Sequence, residues 1–150
     1  MDNNKNYSKT EFQCEKYETE QYDIIIGFIP GYQSDISLSR LSNIKKDFNI
    51  DYFNSLYRRI SKNNPIAVVS GVIQKVLVSY PVEWGCPENG EPAYKITCTR
   101  NPKFNPSSTK FREAVLYNVE VLQKELRQST VTITETNIDM YYSVKSGKES

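Results

Sequence analysis

Asp23-Ile24-Ile25-Ile26-Gly27-Phe28-Ile29 is the stretch on which the fold turns. It is rich in β-branched residues, is too short for a stable helix, and runs straight into Pro30-Gly31. Such a run is a mostly buried strand closed by a turn. After it, from Ser37 to Ile60, apolar residues fall at Leu38, Leu41, Ile44, Phe48, Tyr52, Leu56 and Ile60. Steps of three and four residues place them on one helical face. Asn49-Ile50-Asp51 offers a fresh N-cap, so a bend is expected there, and Ser61 to Pro65 stops the helix.

Ile66 to Tyr80 reads as a strand in which Ile66, Val68, Val72, Val76, Val78 and Tyr80 share one parity. Gly71 inside it marks a bulge or a close backbone approach. A long Pro- and Gly-rich connection over 81–92 leads to Tyr94–Thr99, which alternates again, so the two runs form an antiparallel hairpin. Phe111, Val115, Val119, Leu122 and Leu126 make a second helical stripe, with Ser107, Ser108 or Thr109 as its cap. Over Thr130–Val144 the apolar parity flips, from Val131 and Ile133 to Ile138, Met140, Tyr142 and Val144. A period-two strand predicts an inserted residue for such a flip, so a bulge or sharp bend is expected near Thr134–Asn137. The resulting order, βαββαβ, is that of a two-layer α+β domain with an antiparallel sheet, ferredoxin-like in arrangement. Residues 1–22 are read as a polar N-terminal arm, 23–145 as the single domain, and 146–150 as a polar tail.

The full chain of 150 residues has the size of one domain, and its net charge of +1 exerts no global pull on nucleic acid or membrane. Charge is uneven, with six acids against three lysines over residues 1–23. The three cysteines, Cys14, Cys86 and Cys98, form no CxxC pair, which points to a reducing, cytoplasmic setting. No stretch is long and apolar enough for a membrane helix. There is no histidine. That removes Ser-His-Asp and Cys-His nucleophile activation, imidazole bases and imidazole-ligated metals. No metal site and no cofactor are expected.

Two segments carry candidate sites. Residues 100–112 hold Arg100, Lys103, Ser107, Ser108, Thr109, Lys110 and Arg112 and run into a helix start without an acid. Free backbone N–H groups, hydroxyls and cations together suit a small anion such as phosphate or carboxylate. A capped helix with solvated basic residues is the plainer reading and carries more weight. The second group, pocket or lid candidates, comprises Tyr32 together with Glu83, Trp84 and Cys86. Trp84 closing the end of the core, with Cys86 incidental, outweighs a reactive thiol, because no cation lies nearby in sequence. The Gly-x-x-x-x-Gly-Lys phosphate loop is missing, and Tyr94–Arg100 lacks the aromatic pattern of an RNA-recognition strand, so specific nucleic acid binding is disfavoured.

The first functional expectation is accordingly a non-catalytic binding or protein-interaction domain that self-associates, as a homodimer, through its semi-polar open sheet face. The alternative is a metal-independent small-molecule enzyme or sensor with a pocket between sheet and helices, using Tyr, Arg100 and a carboxylate such as Glu83.

Overall fold

The computed structural model describes residues 13–29 and 46–145. Their order is β1 (Glu15–Gly27), α1 (Ile50–Asn63), β2 (Val72–Val78), β3 (Glu91–Thr99), α2 (Ser108–Glu125) and β4 (Val131–Tyr142). The four strands form one antiparallel sheet in the order β2-β3-β1-β4. This is the expected βαββαβ arrangement, consistent with a ferredoxin-like fold.

Period-two alternation explains the core. Tyr22, Ile24 and Ile26 of β1 are buried, and across β3 they face Cys98, Ile96 and Tyr94, which are buried too. Both helices lie on that face. Asn49 caps α1 by accepting the Tyr52 N–H at 2.7 Å, and Phe53, Leu56, Tyr57 and Ile60 point inward from the same face. Phe53 stacks on Tyr94 with ring centroids 4.0 Å apart. Ser107 caps α2 by accepting the Lys110 N–H, and Phe111, Val115, Val119 and Leu122 complete the layer. Asn118 joins α2 to the neighbouring turn, donating to the Ala67 carbonyl at 2.7 Å. Leu38, Leu41 and Ile44 of the expected stripe lie outside the described residues, as do residues 1–12 of the arm and the tail 146–150.

Three expectations are corrected. β1 begins at Glu15, so residues 15–22 are strand and not arm. Their charged residues hide the pattern, but they pair with β4 from Glu15↔Tyr142 onward. The strand expected from Ile66 starts only at Val72, because Pro65–Ala67 is a 3-10 turn capped by the Asn64 side chain. Within β2 it is Ile73 that faces core Ile96, so Val72, Val76 and Val78 look away from the helices. Gly71 does mark a close approach: a Cβ there would sit 2.8 Å from the Ile96 side chain.

The third correction decides where the site lies. β4 pairs with β1 in unbroken register from Val131↔Ile26 to Tyr142↔Glu15, without the expected bulge. Val131 and Ile133 pack on the helix-covered core, whereas Ile138, Met140 and Tyr142 fall on the opposite face by strand alternation. The apolar parity changes because the helices stop covering the sheet there. Beyond them β1 and β4 continue as a two-stranded ribbon.

Candidate functional site

The ribbon carries a cleft of about 330 Å³ lined by Glu18, Thr19, Glu20, Asn137, Ile138 and Asp139. These residues are three successive cross-strand pairs, Glu18↔Asp139, Thr19↔Ile138 and Glu20↔Asn137. Two carboxylates directly opposite each other repel, which is a cost unless a cation offsets it. Lys16 approaches Asp139 only to 3.8 Å, with both side chains about half exposed.

Glu20 differs from the other two acids. Its carboxylate accepts from Arg100 Nε at 2.6 Å, from Arg100 Nη2 at 2.9 Å and from Ser108 Oγ at 2.7 Å. The Arg100 guanidinium holds the Glu20 carboxyl below the usual carboxylate range, against the opposing effect of burial. Thr19 is buried and donates its hydroxyl hydrogen to the Arg100 carbonyl at 2.8 Å.

The basic segment expected to hold an anion is thus brought together with carboxylates of the same chain. Arg100 and Ser108 bind Glu20. Lys103 reaches Glu15 at 3.3 Å, and Arg112 makes a forked pair with Glu135 at 3.1–3.2 Å. Ser107 is the helix cap, and Thr109 and Lys110 follow in its first turn.

The second candidate group is scattered. Tyr32 lies outside the described residues. Glu83 and Trp84 sit in a 3-10 turn, and Trp84 is 70% exposed, so it does not close the core as expected. Cys86 is buried, with its sulfur 4.0 Å from the Val78 carbonyl. This loop and Arg100 stand at opposite ends of β3, so Glu83 does not join Arg100 as the enzyme alternative expects. Burial pushes the thiol of Cys98 up to about 11, which makes it inert rather than nucleophilic.

The open sheet face is semi-polar. Thr97 donates to Asp23 at 2.7 Å, Lys95 lies 4.0 Å from the same carboxylate, and Thr99 donates to Gln21 at 3.0 Å. Among the described residues no group of three or more Cys, Asp or Glu is arranged to hold a metal ion. No described helix is long and apolar enough to cross a membrane.

Against known families, residues 17–143 match the model of the SAM lyase family. The chain belongs to the SAM lyase family. That assignment overturns the expectation of a non-catalytic interaction domain: the family is one of enzymes, and the small-molecule enzyme named as the alternative is the better-backed reading. Among solved structures the chain is similar to a phage SAM lyase in complex with S-methyl-5'-thioadenosine, at 15% identity and a TM-score of 0.50. The likeness covers 85% of this chain and 90% of that one, and it bears on the fold. No curated protein matches.

None of the ribbon acids stood out in the sequence. The signal that marks them is the parity flip in β4, which records the edge of the helical cover and not a bulge.

Proposed function

We propose that this chain cleaves S-adenosylmethionine to S-methyl-5'-thioadenosine, with the substrate held in the ribbon cleft. The observation that carries the reading is the family match over residues 17–143, which includes all six residues that line the cleft. The substrate bears a sulfonium and an ammonium, and Glu18 and Asp139 offer two opposed carboxylates to such a cation. A volume of about 330 Å³ lies at the lower end of small-molecule sites, roughly 300–1,000 Å³.

Releasing the methylthio product requires breaking the bond between sulfur and the γ-carbon of the amino-acid chain. The substrate carboxylate can form a C–O bond to that carbon, closing a five-membered lactone, while the C–S electron pair returns to sulfur. Atoms and charge balance without water, base or metal. A chain with no histidine can run this reaction by positioning alone. The sulfonium becomes a neutral thioether, so the carboxylates that hold the substrate lose their hold on the product.

Incubating the full chain with S-adenosylmethionine and resolving the nucleosides by chromatography tests the reading. S-methyl-5'-thioadenosine should accumulate with enzyme and time, and its absence would refute the assignment. Glu18→Gln and Asp139→Asn should each raise KM about tenfold, the effect of one lost partner of a cation.

We also propose self-association through the open sheet face, where Asp23, Lys95 and Thr97 meet half-buried Ile25 and Val76. Light scattering coupled to gel filtration should give at least a dimer, and a monomer at all concentrations would end that idea. The three free cysteines accord with a cytoplasmic setting.

A further inference from the structure

We propose that Arg100 is the positioning residue of the cleft, fixing its β1 wall before substrate arrives. The inference rests on the reading that the ribbon cleft binds S-adenosylmethionine. Two adjacent lining residues are tied to this one residue by four hydrogen bonds. The guanidinium gives two to the Glu20 carboxylate, at 2.6 and 2.9 Å. The backbone N–H of Arg100 donates to the Glu20 carbonyl at 3.0 Å, and the Arg100 carbonyl accepts from Thr19 Oγ1 at 2.8 Å.

The same side chain is anchored behind the wall. Its Nη1 donates to the carbonyls of Asn105 at 2.9 Å and Pro106 at 3.3 Å, in the turn that leads into α2. Ser108, the first residue of α2, adds a further bond to Glu20. The side chains of Arg100 and Glu20 are only 9% and 12% exposed, so water screens the pair weakly.

A two-stranded ribbon is marginally stable by itself, and this one has left the cover of the helices. Without a tether its wall would move relative to the body, and binding would have to order it. Pre-organisation of this kind lowers the cost of binding. The planar fork explains why arginine fills the position. Lysine carries the same charge but cannot bind a carboxylate through two parallel N–H groups while also reaching two carbonyls.

The test is steady-state kinetics of Arg100→Lys and Ser108→Ala, measured where circular dichroism shows each fully folded. Ser108 does not line the cleft, so its variant perturbs Glu20 from behind and serves where Arg100→Lys fails to fold. Positioning predicts a KM for S-adenosylmethionine raised about tenfold in Arg100→Lys and about threefold in Ser108→Ala, in proportion to the bonds lost. A purely structural role predicts a lower melting temperature with KM and kcat per folded molecule unchanged, and that result overturns the proposal. If Glu18→Gln and Asp139→Asn change KM while these two variants do not, the cleft stands and the tether fails. If the wild type forms no S-methyl-5'-thioadenosine, the underlying reading fails instead.

Discussion

The inner and outer halves of β1 are one strand in one register, yet they are built on opposite rules. In the inner half the even-numbered side chains, Tyr22, Ile24 and Ile26, are buried beneath the helices. In the outer half the even-numbered positions are Lys16, Glu18 and Glu20, and the apolar partners on β4 lie on the other face. What changes along the strand is the cover, not the pairing. The inner half is held by apolar burial, and the outer half by the nearly buried Arg100–Glu20 pair with its hydrogen bonds and by two exposed pairs, Lys103–Glu15 and Lys16–Asp139. A surface freed from core duty can hold opposed carboxylates, and that is where the cleft lies.

The largest effect should come from the covered half. Ile24→Ala should cost about 4 kcal/mol in urea unfolding, the usual consequence of emptying a core site. Ile138→Ala on the ribbon should cost about 1 kcal/mol, and equal losses would erase the contrast.

Next comes the tether. Glu20→Ala strands a nearly buried guanidinium and should cost about 3 kcal/mol. The pH dependence has a definite sign. The folded carboxyl of Glu20 is held below its unfolded value, so its contribution is present above the unfolded pKa and is lost as pH falls through the folded one. Wild-type stability should therefore fall more steeply below about pH 4 than that of Glu20→Ala. Parallel acid limbs would show that Glu20 is not the linked group.

Cys98 tests the core in the opposite direction. Its thiol is raised to about 11 in the folded chain, so its contribution is lost as pH rises from the unfolded value of about 8.5 toward 11. Cys98→Ala should flatten that alkaline decline. Disulfide-exchange reagents at neutral pH should label exposed Cys14 quickly and buried Cys86 and Cys98 slowly. The smallest effect is expected at Trp84. Replacing it with Ala should shift stability by less than about 0.5 kcal/mol, because it lies in solvent.

The fold was legible wherever burial is one-sided. The Ile24–Ile26 run, the α2 stripe, the Asn49 cap and the Ser107 cap all carry a local period or a local hydrogen bond, and each is found in place. Of the first stripe Leu56 and Ile60 are buried, but Tyr52 is 45% exposed, and Phe53 and Tyr57 fill the core beside them. The ribbon was not legible, because of residues 15–20 only Thr19 is buried and the charged side chains around it look like an arm. The cleft is made by register between residues more than a hundred positions apart, such as Glu18 and Asp139, and no local pattern announces that pairing. The basic segment 100–112 was visible, but its carboxylate partners, Glu15, Glu20 and Glu135, were not.

The central claim is cleavage of S-adenosylmethionine without water, and isotope-labelled solvent tests it most directly. The reaction is run in water enriched in oxygen-18, and the four-carbon product is examined by mass spectrometry, fragmented to separate hydroxyl from carboxyl oxygen. Intramolecular displacement predicts lactone as first product, and any homoserine formed when the lactone opens should carry label only in its carboxyl group. Label in the homoserine hydroxyl would mean that water attacked the γ-carbon, and the lyase account would be wrong.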